Sequence, residues 1–263
     1  MSIHKVTPFL SEIKGFFKNS DMTVAMHTLS SLLSGVKMTE KNVLGVVSKH
    51  NCVYRLLTVF QALLVFPCFG ITNIWNKREN AALSAIIAAR KDVFYRFMEN
   101  PQVNWRNALW KITTQLWNKV HIRSDHKAEG ACLIIDDTDH EKTGRTIEKI
   151  GRVHSHLRHK SVLGFKCLCL AVTDGISQML LDFAILGEKG KNGNYGMSAK
   201  ETKRRHVSKA TSEVIKTREE EYDKSKIELL KDMIRRTIKH KIRFKYVLAD
   251  SWFTNKEIVR FIH

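Results

Sequence analysis

From Ala131 to Gly144 the chain reads ACLIIDDTDHEKTG, an apolar run that passes without a spacer into adjacent carboxylates. An ionised carboxylate leaves water at a cost that a fold rarely offsets unless the charge is paired or ligates a cation. A strand that surfaces at Asp136 and Asp137 therefore either meets solvent there or holds a cation. The pattern recurs at Tyr246–Phe253, YVLADSWF, where a second apolar strand ends on Asp250.

The segments around these two set the organisation. SVLGFKCLCLAVTDG and ISQMLLDFAILG read as two strands joined at Asp174-Gly175, a hairpin dipeptide. KSKIELLKDMIRRTIKHK follows, with Ile227, Leu230, Ile234 and Ile238 as the expected apolar stripe of a helix. The expected order from residue 128 is strand, strand, strand, helix, strand. Before that point the spacing is helical, over Leu29–Val36, Val43–Phe66, Asn73–Ala89, Asp92–Glu99 and Trp105–Val120. Trp110 and Trp117, seven apart, read as one core stripe. The expectation is an α+β or α/β chain: a helical, DNA-binding domain over 1–127 and a mixed-sheet domain over 128–263.

Charge narrows the partners. With 44 Lys and Arg against 26 Asp and Glu the chain carries +18, and its 43% hydrophobic content excludes a disordered basic tail. Such an excess predicts a polyanionic partner, because neutralised phosphates release condensed counterions, with anionic membrane as the rival. The uncharged segment 56–75 is long enough to span a bilayer. Its polar Gln61, Thr72 and Asn73 and its breakers Pro67 and Gly70 predict instead a buried helix ending at FPCFG. No export signal opens the chain. Five cysteines, Cys52, Cys68, Cys132, Cys167 and Cys169, form no C-x-x-C pair and read as reduced thiols, with Cys167 and Cys169 packed on one strand face.

If the two strands lie side by side, Asp136 and Asp250 can share a divalent ion, and carboxylates bridging Mg²⁺ ions roughly 4 Å apart suit phosphodiester chemistry. Asp137 competes with Asp136, since neighbours on a strand point to opposite faces. Glu141–Lys166 holds seven Lys or Arg against two Glu, and Lys189–Lys209 holds seven against one. Lys142, Arg145, Arg158, Lys160 and Lys166 in the first, and Lys203, Arg204 and Arg205 in the second, are the expected phosphate contacts. His154, His156 and His159 match no zinc-finger spacing.

The D-x-T of Asp136, Asp137 and Thr138, taken with YVLADSWF, resembles the bacterial insertion-sequence transposases of the DDE, RNase H-like superfamily. KDVFYRF at Lys91–Phe97 and NWR at Asn104–Arg106 resemble the helical region that precedes the catalytic domain in one branch of that family. The similarity covers most of the chain. It implies an RNase H-like fold, Mg²⁺ or Mn²⁺ as cofactor, hydrolysis of transposon ends and transfer of the freed 3′ hydroxyl to target DNA. It further implies double-stranded DNA as partner, a homodimer in the synaptic complex, and a cytoplasmic, nucleoid-associated protein with no membrane contact. Carried over by position, the first ligand is Asp136 and the second Asp250, with Asp137 as the catalytic alternative.

The family's third carboxylate is a Glu on a helix after a further strand, and the chain stops at His263, 13 residues past Asp250. The expectation is a truncated, inactive transposase whose RNase H-like domain is partial. Two alternatives stay open: a stand-alone RNase H-like nuclease using Glu228 or Asp232, and a DNA-binding protein that needs no metal.

Overall fold

The uncharged segment at 56–75 begins as a short helix that stops at its proline. In a computed structural model of the chain, which describes residues 36–69, 71, 73–75, 87–122, 130–207 and 212–262, helix α1 occupies Leu56–Val65 and tightens into one turn at Phe66–Phe69. Among the described residues no helix is long and apolar enough to cross a membrane. The single helix expected over Val43–Phe66 is broken. Glu40–Leu44 forms an isolated π-type turn, closed by Gly45 at φ +73°, a left-handed backbone that glycine adopts without penalty. Arg55 gives α1 no side-chain cap; Glu40 Oε1 accepts the Leu57 N–H at 3.2 Å and Ser48 Oγ the Leu56 N–H at 2.8 Å instead. Helix α2, Lys91–Met98, packs on α1 through Phe60 and Phe97, while its Phe94 meets Phe66 beyond the end of α1. The helix expected over Leu29–Val36, and most of that over Asn73–Ala89, lie outside the described residues.

The chain divides into two compact units, Met1–Asn104 and Trp105–His263. Helix α3, Trp105–Ile122, therefore packs within the sheet-bearing unit, although helical spacing alone groups it with the segments before it. Its two tryptophans decide this: Trp110 and Trp117 are buried in the core beneath the sheet, as a core stripe should be.

The sheet has five strands: β1 (Cys132–Glu141), β2 (Gly151–Ser155), β3 (Lys160–Thr173), β4 (Gln178–Leu186) and β5 (Tyr246–Ala249). Strand β3 runs antiparallel to β1 on one side and to β4 and β2 on the other, and β5 joins the free side of β1 in parallel. Gly175, at φ +90°, makes the β3–β4 turn as its Asp-Gly dipeptide predicts. This is a mixed-sheet α+β fold of RNase H-like type, with β2 as an element the sequence pattern does not reveal. Between β4 and β5 lie α4 (Ala199–Arg204), α5 (Glu213–Asp223) and α6 (Lys226–Lys239), and α7 (Lys256–Ile262) follows β5. The face of α6 that packs is Leu229, Leu230, Met233, Ile234 and Thr237; Ile238, expected in the stripe, is 60% exposed. The sheet takes the methionine and the threonine inward, so the buried face is rotated from the isoleucine register.

Four charged side chains tie the helices to the sheet. Arg106 of α3 donates from Nε to Asp182 Oδ1 at 2.8 Å and forks onto both oxygens of Glu221 of α5 at 2.8 and 2.7 Å. Arg236 of α6 donates from Nε to the other oxygen of Asp182 at 2.6 Å. Asp182 is fully buried on β4, so its charge is tolerable only because two guanidiniums meet it. Arg106→Met is expected to lower the unfolding free energy by about 3–5 kcal/mol, the usual cost of stranding a buried charge, read as a shifted urea midpoint with unchanged slope.

Candidate metal and nucleic-acid site

The two apolar runs that end on aspartate come together. Strands β1 and β5 pair in parallel from Cys132 opposite Tyr246 to Ile135 opposite Ala249, so the next step of the register sets Asp136 beside Asp250. Neighbouring strands lie about 4.8 Å apart, which puts the two exposed carboxylates at the same end of the sheet; the β1 run behind Asp136 is buried at Leu133 and Ile135, whereas Tyr246, Leu248 and Ala249 of β5 are exposed. Leu133 and Ile135 point into the core with the helices. Asp136 follows the alternation onto the opposite face, which Ile134, Leu248 and Tyr246 share.

Asp137 goes the other way. It lies on the helix-covered face, where the Lys226 ammonium at the first turn of α6 pairs with its Oδ2 at 2.5 Å. Lys226 also sits over the Trp252 ring, 4.7 Å from its centroid. Asp137 is thereby balanced by lysine and joined to the turn after β5. Asp136 keeps its Oδ1 on the N–H of Asp137 at 2.8 Å, and no lysine or arginine pairs with it among the described residues.

Asp250 caps the short turn Ser251–Phe253, accepting from the Trp252 N–H at 3.1 Å and the Ser251 hydroxyl at 2.9 Å on Oδ1. These donors, together with the charge of His156, hold its carboxyl below the usual range. Asp139 is likewise lowered. Burial opposes its charge, but hydrogen bonds from Lys166 and Ser155 and the charges of Lys166 and His156 prevail. His156 thus brings the β2–β3 turn within electrostatic reach of the carboxylate edge.

The basic residues separate into two groups. Arg145, Arg158, Lys160, Lys203 and Arg204 are exposed, and Lys142 is half-buried. Lys166 is 1% exposed and its ammonium pairs with Asp139, so it is removed from the expected phosphate contacts; β3 carries it inward beside β1. Arg205 is half-buried over the Tyr195 and Tyr222 rings, 4.6 and 5.5 Å from their centroids, and donates to the Tyr222 hydroxyl. It too is occupied within the fold.

Cys167 and Cys169 do share a strand face, with Sγ atoms 3.8 Å apart, but that face is the one bearing Asp136 and both thiols are only half-buried. A hydrogen bond from Cys167 holds the Cys169 thiol down to about 7, against burial and the Asp136 charge. Among the described residues no third His, Cys, Asp or Glu completes a metal cluster. Glu228 is spent on the capping box at Ser225, and Asp232 on Lys224 and Arg235.

Two hard-oxygen donors at this spacing fit Mg²⁺ or Mn²⁺, which take one or two carboxylates and complete their shell with water and phosphate oxygens. A family model described as DDE superfamily endonuclease matches residues 80–262, the greater part of the chain. No curated protein and no solved structure matches it.

The different partners of the adjacent aspartates have different consequences for stability. Asp137→Asn is expected to cost about 1–3 kcal/mol, the loss when one partner of a charged hydrogen bond is removed. Asp136→Asn, which removes a carboxylate that no lysine or arginine pairs with among the described residues, is expected to leave stability unchanged. Urea unfolding of the two variants in metal-free buffer separates the outcomes.

Proposed function

The chain belongs to the DDE superfamily endonucleases, and on that premise we propose that it is a DNA transposase that hydrolyses transposon ends and joins the freed 3′ hydroxyl to target DNA. The observation that supports this reading is the parallel register of β1 and β5, whose next step beyond Ile135 and Ala249 is Asp136 and Asp250. In it, Asp136 and Asp250 hold Mg²⁺ or Mn²⁺, and Asp137 orients the strand through Lys226. A divalent ion bound there supplies Lewis acidity at the scissile phosphate and favours a deprotonated attacking oxygen. The core behind β1, with Leu133 and Ile135 buried in it, fixes the Asp136 backbone, and hydrogen bonds from Ser251 and Trp252 hold the Asp250 carboxylate.

Duplex DNA lies against Arg145, Arg158, Lys160, Lys203 and Arg204, with Lys142 at the margin. These side chains neutralise phosphates and set the register of the strand. Two copies, one at each transposon end, form the synaptic complex, and the protein works in the cytoplasm at the nucleoid.

A second reading, a DNA-binding protein that cuts nothing, is favoured by one observation: no third carboxylate joins the pair among the described residues. Cleavage of labelled duplex carrying the element's own ends, in Mg²⁺ or Mn²⁺, decides between them. The transposase reading expects metal-dependent nicking that Asp136→Ala and Asp250→Ala each reduce by more than the ~10–100-fold that outer-sphere changes at metal sites cost. Duplex binding without nicking in either metal selects the second reading. Nicking confined to RNA–DNA hybrid makes the chain an RNase H-like nuclease.

A further inference from the structure

The turn between β2 and β3 presents a leucine to solvent among cations. Leu157 is 92% exposed, and its neighbours His156, Arg158, His159 and Lys160 are exposed as well. A single exposed apolar residue is ordinary, so the exposure alone decides nothing. What distinguishes Leu157 is its setting.

The turn is held in shape. Ser155 pairs with Lys160 across its base, the buried Ser155 Oγ accepts the Arg158 N–H at 3.3 Å, and His159 adopts a left-handed φ of +50°. Arg158 also reaches Glu141 at the end of β1 at 2.7 Å, which ties the tip to the strand that carries Asp136. The Ser155 hydroxyl at the base of the turn also donates to Asp139, three residues past Asp136 on β1. The turn is therefore tied at two points to the strand that carries Asp136.

A leucine has no use for phosphate or ribose. The apolar surface that a duplex offers is the stacked faces of its bases, reached when a base step opens, and leucine is among the side chains that serve as such wedges. A protein partner fits poorly, because the apolar area is one side chain wide and ringed by positive charge. We propose that Leu157 inserts between base pairs of bound duplex DNA while Arg158, His159 and Lys160 hold the flanking phosphates, opening the helix beside the carboxylate site. This rests on the DNA-binding part of the proposed function.

The fold supplies its own control. Ile176, at the β3–β4 turn, is 96% exposed but sits beside Asp174, Gly175 and Ser177, with no cation adjacent in sequence.

The test uses the full chain with a short duplex carrying 2-aminopurine at a TA step, the kind of step that opens most readily, in Ca²⁺ buffer. A second duplex has that step replaced by a mismatch. Fluorescence anisotropy reads binding and 2-aminopurine emission reads unstacking. Wild-type chain and Ile176→Ala are expected to bind both duplexes and raise the emission of the intact one several-fold. Leu157→Ala is expected to lose that rise, and to bind the mismatched duplex on the order of tenfold better than the intact one, because the cost of opening is no longer offset by insertion. An equal rise from Leu157→Ala and wild type, or binding by wild type without any rise, overturns the wedge and leaves DNA binding standing. Failure of the wild-type chain to bind either duplex removes both.

Discussion

The sheet-bearing unit depends on the buried charge of Asp182. That carboxylate sits at full burial on β4, and Arg106 from α3 and Arg236 from α6 both converge on it. Glu221 from α5 closes the set against Arg106 and, at 3.5 Å, against Arg236. Two positive and two negative groups leave the cluster neutral, and the arginine forks fix direction as well as distance. Apolar contacts alone would let three helices slide across the sheet. An ion cluster in a low-dielectric interior tolerates little displacement, so the helices have one docking position.

That docking matters at the carboxylate edge because α6 carries Lys226 at its first turn. With α6 in place, Lys226 balances Asp137 and leaves Asp136 beside Asp250. Two like charges on neighbouring strand ends repel, and the repulsion is relieved most fully when a cation binds between them. The other three acids of β1 each have a cationic partner: Asp139 has Lys166, Asp137 has Lys226, and Glu141 has Arg158. Arg145, Lys160, Lys203 and Arg204 are exposed elsewhere on the chain, whose net charge is +18.

Much of this is legible in the amino-acid order. The strand-to-carboxylate runs at 131–137 and 246–250 locate β1 and β5 and the ends at which Asp136 and Asp250 stand, because an apolar run that stops on a charge marks the end of a strand. Asp174-Gly175 locates the β3–β4 hairpin, since few dipeptides accept that backbone. Strand β2 is hidden because its Arg152 and His154 alternate with buried Gly151, Val153 and Ser155, a weak pattern in which small and polar residues take the inner positions. The inward face of α6 is hidden because Leu229, Met233 and Thr237 carry no more helical periodicity than the isoleucines beside them. Burial of Lys166 and Arg205 is hidden because a long basic side chain reads as surface until a specific acid or aromatic ring is placed against it.

By itself the sequence determined composition, charge and local periodicity: a basic chain with helical spacing before residue 128 and strand-like runs after it, two of them ending on aspartate. These are short-range properties, set by neighbours within a few residues. Only the tertiary structure decided that the two aspartates meet, that Asp136 and not Asp137 faces outward, and which cations are left for a partner. Each of those depends on pairing across long stretches of chain: β1 with β5 over more than a hundred residues, Lys226 with Asp137 over 89. No local pattern encodes such a pairing, because the energy that selects it arises only when the whole sheet and its helices are assembled.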